Sequence, residues 1–197
     1  GIAALRASRK KKLPAVATFH TLLSEYTHYV SESIPDILKR LFVKGTWKYV
    51  SEFYKRFEIV TVPSKPIKKI LAEKGVKNVH VLPNAVDINH YRPAKEKENG
   101  DPRVLFVGRI GKEKRLEVLI DAAPKILEEF PEVNFEIIGK GEHKGWYQRY
   151  AEKKGVGNEF NFRGYVEEEE LVRSYQNCDV FVIPSDTETQ GLVALEA

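Results

Sequence analysis

Short apolar runs alternate with stretches whose apolar residues recur every three or four positions, and this rhythm fills most of the chain. In the first half, residues 15–19, 59–62 and 79–82 are apolar runs entered through Pro14 or closed by Pro63 and Pro83, which predicts three strands. Between the first two, Ile34, Ile37, Leu38, Leu41 and Phe42 keep helical spacing, and Trp47, Val50, Phe53, Tyr54 and Phe57 continue it past Gly45. A helix over about residues 34–57 is expected there. A shorter helix over 67–74 follows, with Ser64 as its N-cap and Gly75 as its stop. The residues after Gly1 also read as a helix.

Residues 93–102 are polar without a hydrophobic period and predict an exposed loop or linker. Beyond them the rhythm resumes. Strands are expected at 104–107, 135–138, 160–162 and 180–183. Leu116, Leu119, Ile120, Ala123, Ile126 and Leu127 trace a helix that Pro124 should kink. Further helices are expected near 145–154, near 167–176 and at the end of the chain. Strands that are apolar throughout and alternate with helices belong to parallel sheets covered on both faces. The fold class is therefore α/β, and the second half reads as a doubly wound sheet. Such sheets bind ligands at the carboxyl ends of their strands.

The 197 residues suffice for one large domain or two small ones. A chain with no Met and with Gly1 at its start reads as an internal segment of a longer protein, truncated at both ends. Cys178 stands alone and so forms no intrachain disulfide; a small buried residue in a reducing compartment fits it. No apolar run is long enough to cross a bilayer. Charge changes the picture more. The net +4 hides a basic half, residues 1–86 with 16 Lys/Arg against 6 Asp/Glu, joined to an acidic half with 16 against 22. A basic half suits an anionic partner, either nucleic acid or an anionic membrane leaflet, and the plain alternative is a solvated surface rich in Lys and Glu. Residues 39–49 mix cations with Phe42, Trp47 and Tyr49. That composition suits either an interfacial helix or a core helix with a basic outer face.

The candidate chemistry collects at strand ends. After the strand at 104–107 come Gly108, Arg109, Glu113 and Lys114, where a guanidinium and an ammonium precede a helix start and could clamp a diphosphate. Neither a Walker loop nor the Gly-x-Gly-x-x-Gly fingerprint is present there. Gly139-Lys140-Gly141 ends the next strand, and Gly164 with Tyr165 and Val166 ends the one after. A close backbone approach or an ordinary turn would each call for Gly139. After the last strand, Glu188 and Glu196 stand eight positions apart around Gly191 and Leu192, at the opening of a helix. Such a turn aims backbone N–H groups at an anion. The paired carboxylates could then bind hydroxyls on either side of a diphosphate, as in a sugar nucleotide. In the first half His20 sits at a strand end, within reach of a reacting hydroxyl, and Glu25, Tyr26 and His28 form a polar-aromatic cluster suited to an acceptor pocket.

These motifs together resemble the retaining glycosyltransferases of the GT-B fold that carry an E-x7-E motif, the glycosyltransferase family 4 type. The residues that carry the resemblance are Gly108-Arg109 with Glu113-Lys114, Gly139-Lys140-Gly141, residues 163–166, residues 188–196, the Pro83-Asn84-Ala85-Val86-Asp87 segment and residues 18–21. Lipid-directed members, the diacylglycerol glucosyltransferases and phosphatidylinositol mannosyltransferases, are the most similar. The resemblance implies two Rossmann-like doubly wound domains, both truncated. Residues 1–86 would belong to the acceptor domain, 87–102 to a linker and 103–197 to the nucleotide-sugar domain.

The resemblance also assigns roles. Gly108, Arg109, Lys114 and Gly139 would meet the donor, and Tyr165 and Val166 would flank its base. Glu188 would contact the donor sugar, the N–H groups at Gly191 and Leu192 the phosphates, and Glu196 the ribose. His20 would sit near the transferred sugar. Arg115 stands where the family more often has Gly. The implied reaction moves a hexose, glucose from UDP-glucose or mannose from GDP-mannose, to a hydroxyl acceptor such as a membrane glycerolipid, with retention by front-face attack. No cofactor or metal is expected; the chain has no Asp-x-Asp motif, and its His and Cys residues are scattered. Nucleic acid is not an expected partner. The expected location is cytoplasmic, at the inner face of the cell membrane. A non-catalytic nucleotide- or nucleic-acid-binding module and a sugar-nucleotide epimerase are the competing readings.

Overall fold

The computed structural model describes residues 1–22, 35–98, 100–185 and 187–197. They form two compact units, Gly1–Ala85 and Val86–Ala197. In unit 1 the elements run α1 (Ile2–Lys11), β1 (Val16–Thr18), α2 (Asp36–Tyr54), β2 (Ile59–Val62), α3 (Lys65–Glu73) and β3 (Val79–Val81). The strands pair in parallel in the order β1-β2-β3. Phe19, Val50, Val60, Val62, Ile67, Leu71 and Val76 make the core. Ser64 occupies the N-cap position of α3, a Pro follows in its first turn, and Gly75 turns the chain away at φ +78°.

The apolar residues of α2 divide between its two halves. Its C-terminal half sends Trp47, Val50 and Tyr54 into the core. Its N-terminal half leaves Ile37, Leu38, Leu41 and Phe42 exposed, near a groove lined by Lys39, Arg40, Lys44 and Lys48.

Unit 2 continues with β4 (Arg103–Val107), a 3-10 turn (Lys112–Lys114), α4 (Leu116–Glu129), β5 (Asn134–Ile138), α5 (Lys144–Lys153), β6 (Phe160–Gly164), α6 (Glu168–Asn177), β7 (Val180–Phe181) and α7 (Val193–Glu196). All four strands are parallel, in the order β6-β5-β4-β7. The order reverses direction between β4 and β7, so the helices divide between the two faces. Val104 and Phe106 point to the side carrying Leu116, Leu119 and Ile120 of α4 and Tyr147 and Ala151 of α5. Leu105 points to the other side, where Leu171 and Tyr175 of α6 pack. That alternation is the pleat itself. A doubly wound sheet opens a crevice where its order reverses, here between the ends of β4 and β7.

The structure adds detail to three expectations on this unit. Within the stretch 87–102, expected as a linker, residues 91–98 lie against α6 and the start of β7. Gln176 donates to the Arg92 carbonyl at 2.9 Å, the Glu98 N–H donates to Asn177 Oδ1 at 3.0 Å, and Lys97 pairs with Asp179. Polar bonds rather than apolar burial hold most of it, so it carries no hydrophobic period. Strand β7 is shorter than the apolar run 180–183: one further bond, Val182 N–H to the Leu105 carbonyl, extends the ladder before Pro184. Helix α4 runs on through Pro124 to Glu129.

Asp179 ties the start of β7 to the start of β4. Its carboxylate accepts from the Arg103 N–H at 2.8 Å, and its own N–H donates to the Arg103 carbonyl at 2.9 Å. The Lys97 ammonium first, and the Arg103 N–H second, hold the Asp179 carboxyl below the usual carboxylate range. A carboxyl with a lowered folded pKa contributes stability above its unfolded pKa and loses it as pH falls through the folded one. Asp179→Asn should therefore lower the melting temperature at pH 7 and flatten its fall below about pH 4. Melts of both forms from pH 7 to pH 3 check this, and parallel curves would refute it.

Candidate active site

The crevice is built from loops that the sheet brings together. Because β4 and β7 are neighbours, the loop after β4 meets the loop after β7, although they are far apart in sequence. Lys114 Nζ and Glu188 Oε1 lie 2.6 Å apart across that junction, with both side chains mostly buried. Arg109 belongs to the same loop as Lys114, its side chain 51 % exposed. Its Nη2 donates to Glu113 Oε1 at 2.6 Å and its Nε to the same oxygen at 3.2 Å. The Glu113 side chain is only 5 % exposed.

The remaining strand ends close the crevice from the β5 side. Gly108 N–H donates to the Ile138 carbonyl, Gly139 N–H to the Gly164 carbonyl and Ile110 N–H to the Lys140 carbonyl, so three successive loops are hydrogen-bonded in a row. Gly139 adopts φ +138°, and a Cβ there would lie 1.9 Å from the Gly108 carbonyl oxygen. Contact with the neighbouring protein backbone thus accounts for this glycine. Beside it lies a cavity of about 210 Å³ lined by Gly108, Arg109, Gly139, Lys140, Tyr165 and Val166. The Lys140 ammonium stands 5.0 Å from the centroid of the exposed Tyr165 ring, a cation–π contact.

On the far side of Gly191 (φ +70°), Leu192 precedes α7, and Glu196 is the helix's last residue. Glu196 Oε2 accepts from the Tyr175 hydroxyl at 2.9 Å. Burial first, then the bond to Glu196, push the Tyr175 phenol well above its ordinary pKa, so it remains a donor. Arg115 takes the left-handed conformation, φ 51° and ψ 40°, at the N-cap of α4. That conformation favours glycine, which gives a physical reason for the commoner residue at that place.

Of the residues expected from the sequence, Gly108, Arg109, Gly139, Tyr165 and Val166 line one cavity, Lys114 pairs with Glu188, Gly191 and Leu192 lie in the turn before α7, and Glu196 lines a different cavity with Tyr91, Arg92 and Tyr175. In unit 1, His20 is exposed two residues beyond β1. Its neighbour Phe19 is anchored in the core against Tyr54, with ring centroids 5.3 Å apart. Glu25, Tyr26 and His28 lie outside the described residues. The sequence reading named Glu113 only as part of the motif, without a role, and gave no part to Tyr175 or Lys97. The four-residue spacing of Arg109 and Glu113 was the one available signal, and it lies on a turn rather than a helix. Nothing in the sequence links Tyr175 to Glu196.

Among the described residues no helix is long and apolar enough to cross a membrane, and no group of His, Cys, Asp or Glu side chains could hold a metal ion.

Comparison with known proteins agrees with this geometry. The model of "Glycosyl transferases group 1" matches residues 87–197, and that of "Glycosyltransferase Family 4" matches residues 1–90. The chain is 29 % identical to alpha-monoglucosyldiacylglycerol synthase of Acholeplasma laidlawii, covering 98 % of this chain and 52 % of that protein. It is 31 % identical to sulfoquinovosyl transferase SQD2 of Arabidopsis thaliana, covering 98 % and 38 %. The chain thus spans about half or less of the length of these relatives. Among solved structures, Anabaena HepE in complex with UDP and glucose superposes with a TM-score of 0.75 at 20 % identity, over 100 % of this chain and 53 % of that one. The chain belongs to the group 1 glycosyl transferases and has their GT-B fold.

Proposed function

We propose that the protein to which this chain belongs is a retaining hexosyltransferase. It takes glucose from UDP-glucose and delivers it to a hydroxyl of a membrane glycerolipid. The observation that carries the reading is the Lys114–Glu188 pair that joins the loops after β4 and β7, with Arg109, from the same loop as Lys114, lining a cavity of about 210 Å³. Arg109 and Lys114 stabilise the negative charge that develops on the departing UDP. Fixed donors of this kind act without reorganisation, which makes them effective in the transition state. Glu188 holds hydroxyls of the transferred sugar, and Glu196, oriented by Tyr175, holds those of the ribose. Backbone N–H groups at Gly191 and Leu192 add donors for the phosphates, and Tyr165 and Val166 flank the base. His20 contributes from the acceptor side. With two cations at the diphosphate, the reaction needs no divalent metal.

Charge and relatives support the acceptor. One similar protein is an alpha-monoglucosyldiacylglycerol synthase, named for a glycosylated diacylglycerol, and the other is a sulfoquinovosyl transferase. The N-terminal half of α2 offers exposed Ile37, Leu41 and Phe42 beside Lys44 and Lys48, a composition that suits an anionic leaflet. The intact protein, assayed on diacylglycerol in vesicles, should turn over UDP-glucose in preference to GDP-mannose, in the presence of EDTA and faster on anionic than on neutral vesicles. Preference for GDP-mannose would overturn the donor assignment. Loss of activity in EDTA would overturn the metal-free chemistry, and equal rates on both vesicles the membrane role.

A further inference from the structure

We propose that Glu113 is the positioning residue of the donor clamp: a buried carboxylate that sets the direction of the Arg109 guanidinium before any diphosphate arrives. The inference rests on the reading of Arg109 as a diphosphate ligand and goes beyond it, because it assigns a role to Glu113, which acts through Arg109.

A carboxylate 5 % exposed is stable only with a compensating partner. Glu113 finds it in Arg109, whose Nε and Nη2 both reach Oε1. An arginine side chain has many torsions, and two bonds from one guanidinium edge to a fixed acceptor remove most of that freedom. The acceptor is itself fixed. Glu113 lies in the 3-10 turn Lys112–Lys114, which Lys114 N–H closes on the Gly111 carbonyl at 3.1 Å. Its carboxylate folds back over Gly111 so closely that a Cβ there would stand 2.3 and 2.6 Å from the two Glu113 oxygens. Gly111 has φ −110° and ψ 167°, an ordinary extended conformation. Its lack of a side chain therefore answers to the carboxylate's place, not to the backbone. Burial, two-donor contact and the emptied side-chain space at Gly111 all serve one outcome, a guanidinium held at the edge of the cavity. A ligand group held before binding loses less freedom on binding.

A double-mutant cycle on the intact protein, read by UDP titration calorimetry and by melting, tests this. Glu113→Gln should weaken UDP binding about tenfold, the scale of one charge-assisted hydrogen bond. In the Arg109→Ala background, the same change should weaken it less than about twofold, since nothing is left to orient. Melting gives the reciprocal readout. Arg109→Ala takes a cationic partner from a buried carboxylate and should lower the melting temperature, and adding Glu113→Gln should restore part of the loss. A purely structural Glu113 would lower stability and leave UDP affinity unchanged. Additive effects on UDP affinity, or unchanged affinity in a folded Glu113→Gln protein, would overturn the proposal. If Glu113→Gln alone does not fold, comparison of the double variant with Arg109→Ala decides. A wild-type protein that does not bind UDP would instead overturn the functional reading, and the melting cycle would still report whether the two side chains act as a pair.

Discussion

Replacing Arg109 or Lys114 by Ala in the intact protein will lower kcat/KM for the nucleotide sugar by about 10²–10³-fold each, the usual cost of removing one preorganised donor from a site of developing charge. The two substitutions should differ in a second respect. Arg109 is half-exposed and leaves behind a buried Glu113; Lys114 is mostly buried and leaves behind a Glu188 that is 28 % exposed. Arg109→Ala should therefore cost more stability, and Lys114→Ala should act more purely on catalysis. Steady-state kinetics with melting curves on both variants would show it. Rates within about threefold of wild type for either variant would remove that residue from the clamp.

Gly139→Ala will destabilise unit 2 by about 3–5 kcal/mol, and the expected fall in melting temperature is about 10 °C or more. The new Cβ would meet the Gly108 carbonyl oxygen at 1.9 Å, and φ +138° adds backbone strain. Gly108 and Gly139 end neighbouring strands, so relief requires the β4 and β5 loops to part, and the crevice would deform with them. Gly155→Ala is the control. Its φ is also positive, +76°, but nothing lies within 4 Å of the added atom. It should cost only the strain of a left-handed residue, about 1 kcal/mol. Equal melting temperatures for the two variants would show that close packing at Gly139 is not the source of the loss.

The architecture of unit 2 was legible in its sequence because its central strands β4 and β5 are largely buried on both faces. Short apolar runs such as Val104-Leu105-Phe106-Val107 and the run ending at Ile138 are strands. The strand-end glycines and charges were legible as well, since their chemistry is local. Two features escaped for a physical reason. The segment 91–98 is fixed by hydrogen bonds to α6, which leave no period in the residue types. The partners Glu113 and Tyr175 depend on which side chains the folded loops bring together, and spacing does not encode that. Gly139 was visible as a glycine, but its reason was not: it answers to the neighbouring loop's carbonyl rather than to an approaching nucleotide.

The Lys114–Glu188 contact has a consequence for turnover. With an acid 2.6 Å from it, the ammonium is already matched by an opposite charge. On the proposed function, an incoming pyrophosphate would displace that acid and release it to the hexose. After transfer the same acid would return to the ammonium and compete with the spent nucleotide. The pair would then act as a built-in displacing anion that moderates affinity for the leaving product.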